Sequence, residues 1–305
     1  MSPETAGVIA AVVMMGALGV SSLDDTTLTK GRQVDTDPEF VADGPPKPVL
    51  PFSAEAAAVM GAQPPKAASP PRVAEKQMGA AFTERFAGPE MGKRWKVSDG
   101  WSNGDYMEND WRASQVTFIP EGMRITMAPP PEQSDKPLAS GEIRTNEYFR
   151  YGYFEARMRA PRDPGLVIGF FTYAGRDEGK LPNEIDVEIL GKNTKAVELT
   201  LHQGGDSTFK KVVLPFDAAE GFHTYGFDWQ PGYVRWYIDG VMVHEETGGR
   251  VPKIVRPQQV MISLWSSKQL HEWVGELDFA GAPWKLDLSC TAYAPAYKGR
   301  QLCAG

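Results

Sequence analysis

The sequence predicts an all-β fold of the sandwich type. From Tyr153 to Ala160 apolar and polar side chains alternate with period two, as a strand buried on one side requires. Asp239-Gly240 separates the runs Tyr233–Ile238 and Val241–Glu245, and Asp-Gly suits the type I′ turn of a tight hairpin. Neither a long amphipathic helix nor the βαβ spacing of a parallel sheet is present. The 31 glycines and 10% aromatic content agree with many turns around an aromatic core.

Taken in order, the chain opens on an apolar run from Ala6 to Val20, followed by Ser21-Ser22-Leu23-Asp24-Asp25. Its length suits the core of an export signal and is too short for an ordinary membrane span. The preceding residues depart from that pattern, with Glu4 and no lysine or arginine. Residues 1–22 are therefore expected to be an export segment, directing the protein to the periplasm or outside the cell. Residues 23–80 are punctuated by Pro45-Pro46, Pro64-Pro65 and Pro70-Pro71 among alanine, aspartate and serine. Such composition predicts a disordered linker, with at most a helical turn or two over Ala54 to Met60. Residues 81–305 form the expected folded domain. In it Phe154, Ala156, Met158 and Ala160 face a core, and Tyr153, Glu155, Arg157 and Arg159 face the other way. The turn Gln230-Pro231-Gly232 joins the predicted hairpin to the strand before it.

The most informative strand is Glu184-Ile-Asp-Val-Glu-Ile-Leu190. Period-two alternation sends Glu184, Asp186 and Glu188 to one face and the aliphatic residues to the other. Crowded like charges are unfavourable and need a reason. Glycosidic bond cleavage supplies one, since it uses one carboxylate as nucleophile and one carboxylic acid as proton donor. Glu184 and Glu188 lie roughly 13 Å apart along a regular strand. Leaning side chains could close the carboxylate gap to the roughly 5–5.5 Å of a retaining enzyme. Asp186 between them could hydrogen-bond one glutamate and hold the other's proton to higher pH. The alternative for an isolated E-x-D-x-E is a solvated acidic strand face.

The flanking residues add to this. Trp101-Ser-Asn-Gly104, Tyr151-Gly-Tyr-Phe-Glu155, Gly169-Phe-Phe-Thr-Tyr173, Glu184-Ile-Asp-Val-Glu188, Gly221-Phe-His-Thr-Tyr225 and Asp228-Trp-Gln-Pro-Gly-Tyr233 occur in that order. Over about Phe82 to Tyr293 the chain resembles glycoside hydrolase family 16, and within it the bacterial licheninases, endo-1,3-1,4-β-glucanases. The resemblance implies a two-sheet, concanavalin-like jelly roll with a concave, polysaccharide-binding cleft. It implies Glu184 as nucleophile, Glu188 as general acid/base and Asp186 as the assisting carboxylate, in a double displacement with retention. Related bacterial enzymes depolymerise succinoglycan-type exopolysaccharides, which is the alternative within the class; a transglycosylase and a sugar-binding lectin are further alternatives. No cofactor is required by this chemistry.

The same resemblance places Asn103, Glu142, Arg144, Trp265 and Trp273 at the cleft, with Glu142 and Arg144 on one strand face where they could pair. Phe171 and Tyr173 are expected to divide between core and cleft. His202 stands where licheninases carry tyrosine and could reach the nucleophile or a substrate hydroxyl, or else be merely structural; His223 is expected to be structural. Asp278 matches a family position near a structural calcium. Departures also occur: Pro182-Asn183 replaces Trp-Asp before the first glutamate, Thr200 replaces an asparagine, and Asn109 stands where the family has a cysteine.

The two cysteines, Cys290 and Cys303, have no metal-ligand spacing. They are expected either to close a short disulfide loop, fitting an oxidising compartment, or to remain two thiols in a tail. A formal charge of −7 without a clustered basic patch argues against nucleic acid as partner. A monomer is expected.

Overall fold

The computed structural model describes residues 76–305 apart from Glu132, residues 176–180, Gly205 and Gly305. The expected export segment and nearly all of the expected linker lie outside the described residues. The described fold begins ahead of residue 81, since Met78 already pairs with Tyr148 and the Gly79 amide donates to the Tyr148 carbonyl at 2.8 Å.

Among the described residues seventeen strands follow in chain order. They are β1 (Phe82–Glu84), β2 (Trp95–Val97), β3 (Asn109–Trp111), β4 (Val116–Ile119), β5 (Gly122–Met127), β6 (Leu138–Ser140), β7 (Glu142–Thr145), β8 (Gly152–Arg159) and β9 (Leu166–Ala174). Then come β10 (Asn183–Leu190), β11 (Ala196–Gln203), β12 (Asp206–Val213), β13 (His223–Gln230), β14 (Tyr233–Ile238), β15 (Val241–Glu246), β16 (Gln259–Ser266) and β17 (Trp284–Ala294). The outer sheet runs β15-β14-β13-β8-β17-β5-β4, with β1 also on β17. The inner sheet runs β12-β11-β10-β9-β16-β7-β2, and β3 and β6 form a small parallel pair. Every pairing within the two large sheets is antiparallel, giving the two-sheet sandwich that the sequence predicts.

The core lies between the sheets because each strand contributes alternate apolar residues to it. Phe154, Ala156 and Met158 enter from β8, Phe227 and Trp229 from β13, Ile168 and Phe170 from β9, and Ile185, Val187 and Ile189 from β10. The predicted hairpin forms as β14–β15, with Asp239 at φ 47° and Gly240 at φ 79°, the paired positive values of a type I′ turn.

One expectation fails on β8. Tyr153 and Glu155 point away from the core yet are fully covered. The C-terminal segment lies over them: the Cys303 amide donates to Glu155 Oε1 at 2.6 Å, the Tyr153 hydroxyl donates to Glu155 Oε2, and Tyr153 packs against Tyr297 and Tyr237. The segment is held by the Cys290–Cys303 disulfide, with Cα atoms 5.7 Å apart. No helix among the described residues is long and apolar enough to cross a membrane.

Candidate active site

The inner sheet presents its other face as a cleft, and β10 crosses it next to the central strand β9. With Ile185, Val187 and Ile189 at 1% exposure or less, Glu184, Asp186 and Glu188 must point the opposite way. Neighbouring strands frame each of them. Glu184 pairs with Tyr173 and His202, Asp186 with Phe171 and Thr200, and Glu188 with Gly169 and Glu198. A Cβ at Gly169 would lie 3.3 Å from the Phe171 ring, so glycine leaves the gap beside Glu188 open. Asn103, Tyr106, Trp111, Glu142, Phe171, Ser263 and Trp265 complete the walls around the three carboxylates.

Burial raises the proton affinity of all three acids. Glu184 is further raised by Glu188, and lowered by a hydrogen bond with Asp186. Asp186 is raised by burial, by the charges of Glu184 and Glu188, and by that same hydrogen bond. The hydrogen bond between Asp186 and Glu184 thus works toward the ionised form of Glu184 and the protonated form of Asp186, while burial raises both. Glu184 Oε2 has no hydrogen-bond partner among the described residues. Glu188 is pushed up to about 8 by burial and then by the charge of Glu198.

Of the other expected site residues, Asn103, Glu142, Phe171 and Trp265 line the pocket directly. Asn103 Oδ1 accepts from Trp111 Nε1 at 2.9 Å. Glu142 is buried, which pushes its carboxyl up to about 7, and Ser98 Oγ donates to it at 2.6 Å. Arg144 shares its strand face but acts on Glu142 through charge, with no direct ion pair among the described residues. Phe171 and Tyr173 do not divide between core and cleft: two residues apart on β9, they share the cleft face and cluster with Met261. His202 approaches the middle acid, its Nε2 lying 3.4 Å from Asp186 Oδ2, and burial lowers its affinity for a proton to a pKa of about 4. Trp273 stands on a single-turn helix, His271–Val274, with its ring 5.9 Å from that of Trp265. His223 lies on the outer sheet and pairs with Asp239 at 2.7 Å.

Sequence reasoning missed Tyr106, Trp111, Ser263 and Glu198. Glu198 is the most consequential, being a further buried carboxylate, opposite Glu188, whose Oε2 accepts from Trp273 Nε1 at 2.8 Å. The alternation that set His202 on the cleft face also sets Thr200 and Glu198 there, so the signal was present.

Asp278 is exposed in the loop before β17 and belongs to no group of converging acidic or imidazole side chains among the described residues.

Comparison with known proteins agrees with this geometry. The profile of "Glycosyl hydrolases family 16" matches residues 103–281. A β-glucanase of Bacillus subtilis is 37% identical over 204 residues, covering 66% of this chain and 81% of that protein. Among solved structures, the Bacillus licheniformis β-glucanase superposes with a TM-score of 0.65 at 34% identity, covering 71% of this chain and 99% of that one. A β-1,3-1,4-glucanase from a mouse hindgut metagenome gives 0.66 at 32% identity, covering 71% of this chain and 100% of that one. With the family profile spanning more than half its length and its sandwich matching theirs, this chain belongs to glycosyl hydrolases family 16 and is a glycoside hydrolase.

Proposed function

We propose that the protein hydrolyses β-1,3-1,4-glucan internally, at β-1,4 links, by double displacement with retention. The observation that carries this is the carboxylate trio on one face of β10, aimed into an aromatic-walled cleft. The names and sequences of the similar β-glucanases support the substrate class.

Glu184, with an oxygen free and its charge favoured by Asp186, attacks the anomeric carbon. Glu188, protonated at neutral pH, gives its proton to the departing glycosidic oxygen. A covalent glycosyl-enzyme forms and the leaving chain departs with a new hydroxyl. Glu188, now ionised, takes a proton from water, whose oxygen attacks the same carbon and releases Glu184. Two displacements restore the original β configuration. Asn103, Glu142 and Arg144 supply polar contacts to sugar hydroxyls, Phe171, Tyr173, Trp265 and Trp273 offer aromatic faces to sugar C–H surfaces, and His202 stands beside Asp186.

The test is lichenan digestion followed by NMR of the first reducing ends. Newly formed β-anomers are expected; α-anomers would overturn retention, and intact lichenan would overturn the substrate. Depolymerisation of an acidic exopolysaccharide is the second reading, favoured by the ammonium of Lys211 on the cleft face opposite Glu198. A pure lectin has no use for three crowded acids. The Cys290–Cys303 bridge supports action in an oxidising compartment, outside the cytoplasm.

A further inference from the structure

The cleft face continues past the carboxylate strand. Asp186 pairs with Thr200 on β11, and Thr200 pairs with Phe209 on β12, so the three stand in one row across the sheet. Facing is fixed by their neighbours, because Leu199 and Leu201 enter the core and Phe209 is in register with the residue between them. Phe209 is 48% exposed on the last strand of the sheet, outside the packed core, and makes no ring contact among the described residues. Edge strands are normally guarded by charge, and a bare aromatic there raises the risk of unwanted pairing unless it is used.

Its surroundings indicate a use. Ser207 pairs with His202 and Lys211 pairs with Glu198, so a hydroxyl and an ammonium flank the ring on the same face. A flat apolar surface bordered by hydrogen-bond donors matches a pyranose, with C–H groups on its faces and hydroxyls at its rim. Phe209 lies two strands from β10, roughly 10 Å at the usual strand spacing, a span suited to a short run of sugars. It stands on the opposite side of β10 from Glu142 and Arg144, which lie on β7.

We propose that Phe209, with Ser207 and Lys211, forms an outer glycan subsite that holds the substrate chain beyond the carboxylates on the β12 side. This rests on the reading of the cleft as a glucanase site and names the part of it that selects for chain length. The occupant is a sugar of the same β-glucan strand, reached by a continuous floor from Asp186 through Thr200.

The test measures binding of β-1,3-1,4-gluco-oligosaccharides of increasing length to the Glu184→Gln protein, alone and combined with Phe209→Ala or Phe209→Trp. The parent is expected to gain affinity until the chain reaches Phe209. Phe209→Ala should remove that last gain, about tenfold for one aromatic contact, and Phe209→Trp should restore it. Equal affinities of the parent and Phe209→Ala at every length would overturn the inference alone. An oligomer of the parent that Phe209→Ala dissolves would assign the ring to a second copy and overturn it too. Failure of the unmutated protein to cleave lichenan would overturn the glucanase reading and this subsite with it.

Discussion

Glu188 and Glu198 are direct cross-strand partners on the cleft face, two carboxylates opposed where an antiparallel sheet ordinarily sets unlike charges. Burial raises the Glu198 carboxyl, and the hydrogen bond from Trp273 Nε1 with the charges of Lys211 and Lys192 works against that rise. The charge of Glu198 is what lifts Glu188 further once burial has acted. Glu198→Gln should therefore move the alkaline limb of the kcat/KM profile to lower pH and leave the acidic limb in place. Glutamine still accepts from Trp273, so a change in Trp placement is not the cause. An unmoved alkaline limb would show that Glu198 does not tune the acid.

Glu188→Gln should abolish turnover while stabilising the fold at alkaline pH. A raised folded pKa means that stability is greatest below the unfolded value, near 4.3, and is lost as pH rises through about 8. Glutamine carries no proton to lose. The melting temperatures of variant and parent should coincide near pH 4 and diverge by a few degrees toward pH 9, with the variant higher. Coincidence across the whole range would contradict the reading of Glu188 as an acid raised by burial.

The outer sheet shows the opposite sign. Burial alone would raise the Asp287 carboxyl, but hydrogen bonds from Arg124 and Arg159 outweigh it and hold it below its usual value. Arg124 Nε donates to Oδ1 at 2.6 Å and its Nη2 to Oδ2 at 3.0 Å. The stability gained is present above about pH 4 and disappears as pH falls through the folded value. Asp287→Asn should cost about 2 kcal/mol in urea unfolding at pH 7, since the arginines are partly solvated, and much less near pH 3.

Opening the Cys290–Cys303 bridge should lower stability by about 3 kcal/mol, the chain-entropy scale for so short a loop. The bridge lies on the outer sheet, across the core from the cleft. Cys303→Ser should thus unfold at lower denaturant concentration while keeping its kcat on lichenan at 25 °C. A parallel fall in kcat would mean that the outer clasp shapes the cleft.

The sandwich was legible because alternation is a local property: β10, β8 and the β14–β15 hairpin each announce their faces within a few residues. The same rule, applied consistently, would have put Phe171 and Tyr173 together and Glu198 beside His202. What alternation cannot reveal is which strands become neighbours. Phe209 joins the cleft only because β12 pairs with β11, and Tyr106 and Trp111 arrive from residues before β4 whose folding is set by tertiary contacts. Nor could it show that Glu155 and Tyr153 are covered, since the covering segment comes from more than a hundred residues later.

On β10 the residues that anchor the core and those that face the cleft are interleaved one by one. A slip of a single residue in its pairing would exchange the two sets, burying acids and baring isoleucines, with no half-working intermediate. Catalysis is thereby tied to correct strand alignment, and the return of hydrolysis during refolding will time the locking of this register more sharply than any signal of overall compaction.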